Sequence, residues 1–138
     1  PFEQLCVIIL NEIETYFANF KDEQCVFVND RPLNGELRGW SVVQERQGYE
    51  AAHIHPGGWL SGVCYLQVVP SLGQQEGAIE FSLNGRRYSE LKSPKLVHQP
   101  MQGDIILFPS SLHHRTIPFT TDAERIIIGF DLLPDRAD

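Results

Sequence analysis

From Asn34 onward the chain is cut at short intervals by turn formers: Asn34-Gly35, Pro56-Gly57-Gly58, Asn84-Gly85, Pro94, Gly103-Asp104 and Pro118. Short apolar runs separated by such signals are the pattern of strands. The runs predict strands near Leu37–Gln47, Ala51–His55, Leu60–Val69, Ala78–Leu83, Lys95–His98, Asp104–Phe108, His113–Ile117 and Arg125–Leu132. Ahead of them Phe2, Leu5, Cys6, Ile9, Ile13, Tyr16, Phe17 and Phe20 recur at three- and four-residue steps, the spacing of one amphipathic helix. One helix followed by eight short strands predicts a mainly β fold, a jelly roll or cupin-like double-stranded β-helix. The expected organisation is a single domain over residues 1–138, with the helix segment (1–24) on the outer face of the major sheet and the jelly-roll core in 25–138.

A length of 138 residues suits one domain with a real core. The net charge of −7 and the scattered Lys and Arg argue against nucleic acid as a partner. No stretch approaches the roughly 20 apolar residues of a membrane helix, and no basic leader with a cleavable apolar stretch opens the chain. Cys6, Cys25 and Cys64 are odd in number and lack CxxC spacing, so the expected setting is reducing and cytoplasmic. The chain begins at Pro1 without a methionine, and an upstream domain or a homodimer is kept open as an expectation.

Four of the five histidines fall into two clusters, His53-Ile54-His55 and His113-His114. Residues i and i+2 of a strand share a face, so His53 and His55 can converge on one ion, and a nitrogen from a later strand completes a facial set with open positions. Spacing selects that later residue. Gly103, five residues, Pro109, then Ser110-Ser111-Leu112-His113-His114 follows the second cupin motif, G(x)5PxGxxH, with Ser111 in place of its last glycine. The pattern points to His114 and leaves His113 facing outward. Gly48 followed by His53-x-His55 is similar to the first cupin motif, but Trp59 or Leu60 stands where its glutamate is expected, so the four-ligand cupin set is incomplete.

Alternation along the last strand puts Ile126, Ile128, Phe130 and Leu132 on one face and Arg125, Ile127, Gly129 and Asp131 on the other. The apolar face is the natural seat of the helix, which turns Arg125 into the barrel. A buried guanidinium needs a partner. That partner is either an anionic ligand held bidentately or a carboxylate of the chain, Asp104 or Glu80. Cys64 points away from the face of its neighbour Tyr65 and reads as a buried structural thiol. Trp40 and Trp59 both read as packing residues, with Trp59, just past the Gly57-Gly58 turn, also a weak candidate for the substrate entrance. His98 is given no role, and Ser110 and Ser111 lack the acid that a nucleophile would need.

Three separated stretches carry a closer resemblance: Ala52–Leu66 (AHIHPGGWLSGVCYL), Leu107–Phe119 (LFPSSLHHRTIPF) and Glu124–Asp131 (ERIIIGFD). Together, in this order, they resemble the iron(II)/2-oxoglutarate oxygenases, including versions found attached to tetratricopeptide repeats and distantly similar to prolyl hydroxylases. The resemblance covers most of the chain from about Gly39 onward. It implies iron(II) and 2-oxoglutarate as cofactors, His53, His55 and His114 as metal ligands, and Arg125 with Tyr65 against the far carboxylate of the oxo acid. It implies oxidative decarboxylation to succinate and carbon dioxide with hydroxylation of a C–H bond. His55 departs from the wider superfamily, which mostly carries Asp or Glu there, so one negative charge is missing from the ligand set.

The sequence leaves two other classes in view: a metal cupin working without the oxo acid, as a three-histidine dioxygenase or an isomerase, and a non-catalytic binding module. The expected substrate is a peptide side chain or a small metabolite. The loops that would select it, Asn29–Gly35, Ser71–Gly77 and Arg86–Pro94, carry no diagnostic motif.

Overall fold

The computed structural model describes residues 1–45, 48–85 and 92–136. Helix α1 (Phe2–Asn19) and a single turn α2 (Val26–Asn29) precede β1 (Leu37–Gln44), β2 (Glu50–His53), β3 (Leu60–Gln67), β4 (Ile79–Ser82), β5 (Leu96–His98), β6 (Ile105–Pro109), β7 (His113–Thr116) and β8 (Arg125–Leu132). The strands form two four-stranded sheets, a major one in the order β1-β8-β3-β6 and a minor one in the order β2-β7-β4-β5. Every pairing is antiparallel, and this is the double-stranded β-helix expected from the turn spacing.

The differences from the expected elements have local causes. The first strand stops at Gln44, and its expected end at Gln47 lies outside the described residues. The second stops at His53 because Pro56 follows and cannot donate to a ladder. His55 therefore stands in the following turn, where its backbone N–H donates to the Ser110 carbonyl (2.9 Å) and Gly58 N–H closes back on the His55 carbonyl (3.0 Å). A register shift between Tyr65 and Gln67 precedes the end of β3. The loop stretch 86–91 of the expected substrate-selecting segment is likewise outside the described residues.

Helix α1 buries Ile9, Ile13 and Phe17, one residue per turn, against Leu60 of β3 and Phe130 and Leu132 of β8. The helix thus lies on the outer face of the major sheet. It covers only the far half of the face expected on β8: Phe130 and Leu132 belong to this cluster, while Ile126 and Ile128 are half-buried outside it. A second apolar cluster fills the space between the sheets with Val63, Tyr65, Ile79, Phe81, Phe108 and Ile127, and Phe81 meets Phe108 edge to face at 5.0 Å. The presence of Ile127 there fixes the parity of β8, whose odd-numbered residues look inward. Cys64, one step from Tyr65, is buried, and burial raises its thiol pKa.

On the minor sheet Glu80 accepts from Arg115 Nε (2.8 Å) and Nη2 (3.2 Å), with Lys95 Nζ at 3.7 Å. The hydrogen bonds from Arg115 hold the Glu80 carboxyl below the usual glutamate range. Asp104 takes His98 Nε2 (3.1 Å) and the Met101 amide (2.9 Å). Both carboxylates offered by the sequence as partners of Arg125 are thus engaged elsewhere.

Two stability measurements check this account. Phe17→Ala should lower urea-unfolding stability by about 3 kcal/mol with an unchanged denaturant slope, because it opens a cavity under the helix. Glu80→Gln should cost about 1 kcal/mol at neutral pH, a modest figure because the Arg115 side chain is 38% exposed. A carboxyl whose folded pKa is depressed stabilises above its unfolded value of about 4.3, so the gap between wild type and variant should close as pH falls through and below that value.

Candidate active site

The pairing of β2 with β7 sets His53 directly opposite His114. The turn after β2 then brings His55 back beside them. Ring centroids lie 4.3 Å apart for His53 and His114, 5.0 Å for His55 and His114, and 5.2 Å for His53 and His55. One ring nitrogen from each of the three lies within 4.8 Å of the others, so the three could hold one metal ion.

Hydrogen bonding on the outer side of each ring decides which nitrogen faces inward. His53 Nδ1 is 2.7 Å from the Ala51 carbonyl, His114 Nδ1 is 3.0 Å from the Leu112 carbonyl, and His55 Nδ1 is 2.7 Å from Asp131 Oδ1. A carbonyl or carboxylate can only accept, so each Nδ1 carries the proton and each Nε2 keeps its lone pair. His53 Nε2 and His55 Nε2 stand 3.2 Å apart, close enough to share a proton or a metal ion. Such a contact is repulsive in neutral rings and is relieved by a cation. Two nitrogens bound at right angles to one ion at about 2.1 Å lie about 3.0 Å apart, so the donor set fits a metal.

His114 is 5% exposed, and burial pushes its imidazole pKa down to about 4, with His53 and His55 adding to the shift. It is neutral at physiological pH, as a metal ligand must be. His113 pairs with Ser82 on the other face of the strand, and its ring packs against Gly85, where a Cβ would come within 2.2 Å of the imidazole. The spacing rule that selected His114 over its neighbour agrees with this placement.

Arg125 is 2% exposed and lines the same cavity as the three histidines, with Trp40, Glu50, Ile127 and Gly129. Its Nη1 donates to Gln44 Oε1 (2.7 Å), its cross-strand partner on β1, while its Nε is buried with no partner. Among the described residues no carboxylate lies within 4.0 Å of the guanidinium. The guanidinium carbon sits 5.5 Å from the centre of the Tyr65 ring. The Tyr65 hydroxyl is also buried, with the Arg125 guanidinium beside it and no other hydrogen-bond partner among the described residues. Burial raises the phenol pKa against the opposing pull of Arg125, so the phenol keeps its proton as a donor. A buried cation and a buried hydroxyl with unused hydrogen-bonding capacity form a cradle for an anion.

The aromatic beside the site is Trp40, not Trp59. The Trp40 ring is 5.5 Å from His55 and lies over Gly129, where a Cβ would come 2.7 Å from the indole. Trp59 stacks on Phe27 at 6.1 Å and donates its indole N–H to the Phe27 carbonyl (2.9 Å), away from the histidines. Its hydrogen bond is satisfied on the helical side of the sheet, a packing arrangement with Phe27. Sequence reading also assigned no role to Asp131, Gln44 or Glu50. For Asp131 the inward parity of β8 was a usable signal; for Gln44 and Glu50 there was none before strand register was known.

Comparisons with known proteins agree with this geometry. No curated protein matches in sequence. Among solved structures, a prolyl-4-hydroxylase from Pseudomonas putida superposes with a TM-score of 0.55 at 14% identity, over 75% of this chain and 55% of that one. An oxidoreductase of the 2OG-Fe(II) oxygenase family from Burkholderia pseudomallei gives 0.56 at 15%, over 87% and 57%. HygX from Streptomyces hygroscopicus, with nickel, 2-oxoglutarate and hygromycin B bound, gives 0.53 at 14%, over 86% and 64%. The chain spans little more than half the length of the first two, and at these identities the likeness establishes the shared fold. A sequence model of one family matches residues 38–131, about two thirds of the chain and all the histidines and the arginine described above. The chain belongs to the family described as "Putative 2OG-Fe(II) oxygenase", whose cofactors are iron(II) and 2-oxoglutarate.

Proposed function

We propose that this chain is an iron(II)/2-oxoglutarate-dependent hydroxylase acting on a peptide side chain or a small metabolite. His53, His55 and His114 hold the iron, and Arg125 with the Tyr65 hydroxyl grips the far carboxylate of the oxo acid. The observation that carries this reading is Arg125: a guanidinium buried in the cavity of the three histidines, without a carboxylate among the described residues and with Nε unsatisfied. A purely structural arginine so placed would be a net cost.

Iron held there would, with 2-oxoglutarate and dioxygen, supply an oxidative decarboxylation in which one oxygen atom of O2 goes into succinate, with loss of carbon dioxide, and the other into a substrate C–H bond. The chain's own residues orient and exclude. The whole cavity shared by the three histidines and Arg125 has about 50 Å³ of free space, room for one or two waters. A five-carbon diacid therefore enters by displacing Gln44 from Arg125 and widening the cavity, the Gln44 amide acting as a placeholder for the carboxylate. Ile79, Val63 and Ile127 give the cavity apolar walls that keep water from the reacting centre. Trp40, 37% exposed, is the lining residue that a substrate entering beside His55 would touch.

The residues span one oxygenase domain over 1–138, and the reading places it in the cytoplasm, in keeping with free Cys6, Cys25 and Cys64. No helix of the described residues is long and apolar enough to cross a membrane. A second reading draws on the three neutral imidazoles: a three-histidine dioxygenase or isomerase in which Arg125 binds the substrate itself.

Anaerobic addition of iron(II) and then 2-oxoglutarate should give the weak visible charge-transfer band of a chelated oxo acid. Arg125→Met should abolish the band. The same substitution removes a buried charge that has no anionic partner among the described residues, so it should leave the stability of the ligand-free protein unchanged or raise it by about 1 kcal/mol. Metal uptake without a band in the wild type selects the second reading, and a large loss of stability in Arg125→Met would mark the arginine as structural.

A further inference from the structure

We propose that Asp131 supplies, one residue removed from the ion, the negative charge that three neutral imidazoles do not, by accepting the His55 Nδ1 proton and making His55 the strongest donor of the three. This rests on the three-histidine metal reading above. The bond is short, 2.7 Å from Nδ1 to Oδ1, with the side chains only 15% and 13% exposed. His53 and His114 direct their Nδ1 protons to backbone carbonyls, so the carboxylate distinguishes one ligand from the other two. Asp131 is not part of the group whose donor atoms converge, and among the described residues its ion-pair partner is His55.

The surroundings hold the carboxylate in that one role. Ser61 Oγ donates to the same Oδ1 at 2.6 Å, and Ser61 Oγ and Ser110 Oγ lie 2.8 Å apart, both serines being essentially fully buried. Gly58 closes the turn over them: a Cβ there would fall 2.5 Å from Ser110 Oγ and 3.3 Å from the Asp131 carboxyl carbon. A carboxylate fixed so closely cannot rotate toward solvent. Among the described residues no Lys or Arg forms an ion pair with it, which is costly unless positive charge resides on or beyond the ring it touches. A divalent ion on His55 Nε2 provides that charge, and the ring transmits the interaction in the way of carboxylate–histidine–metal arrangements generally.

Asp131 adds to the carboxylate, Glu50, that already lines the cavity. The charged lining residues are Arg125, Arg115, whose charge is taken up by Glu80, and Glu50. A divalent ion held by neutral rings next to Arg125 would face mutual repulsion that Asp131 offsets from behind His55. Asp131 is on this account a positioning residue; it does not contact the reacting atoms.

The test uses the full chain, freed of metal and titrated with cobalt(II), by calorimetry and by the ligand-field bands of the bound ion. Asp131→Asn keeps the shape and one acceptor and removes the charge. It should weaken cobalt affinity by about 10- to 100-fold and shift the bands, while Asp131→Glu recovers part of the affinity. The metal-free unfolding midpoint of Asp131→Asn should match or exceed that of the wild type, which separates loss of charge from loss of fold. Equal cobalt affinity and identical bands in wild type and Asp131→Asn would overturn the proposal while leaving the three-histidine site intact. A wild-type chain that takes up no cobalt would overturn the metal reading itself and the role of Asp131 with it.

Discussion

The ladder between β2 and β7 is the constraint on which the site depends. It sets His53 against His114 across two strands distant in sequence, and it belongs to the minor sheet, whose inner face carries Phe81 against Phe108. Backbone pairing places the first and third histidines with little freedom. The second is placed by a different device, a proline-led turn whose N–H bonds to Ser110, so it reaches the others without belonging to a strand. Two strand-paired positions and one turn-held position give three convergent imidazoles that could hold one ion, each outer nitrogen tied to an oxygen.

Much of this was legible in the sequence because strand parity is a strong rule. The inward face of β8, the opposition of Cys64 and Tyr65, and the choice of His114 over His113 all follow from a period of two or from motif spacing. The i, i+2 argument for His53 and His55 reached the right neighbourhood by a partly wrong route, since His55 lies beyond the strand end. What could not be read was partnership between strands. That Arg125 meets Gln44, not Asp104 or Glu80, depends on the register of β1 with β8, and the sequence carries no local trace of it. The same holds for Asp131 and His55, joined across 76 positions. Which indole lines the cavity was unreadable for a related reason: an indole looks alike in sequence whether its edge meets a cavity or a helix.

Stability and chemistry are divided between the two faces of the major sheet. Its outer face holds the apolar seam with α1, built from Ile9, Ile13, Phe17, Leu60, Phe130 and Leu132. Its inner face carries the polar groups that burial makes expensive, Tyr65, Arg125 and Ser61. The apolar seam offsets the cost of the other face, which explains why an 18-residue helix outside the barrel matters to a cavity it does not touch.

The eight residues of β8 hold Arg125 at one end and Asp131 at the other, both of odd number and both turned inward. Insertion or deletion of a single residue between them would swing one of the two onto the helix-facing side, since no extended strand can keep both inside across an odd gap. The even interval from 125 to 131 thus keeps the guanidinium and the carboxylate on one side of the same strand, six residues apart.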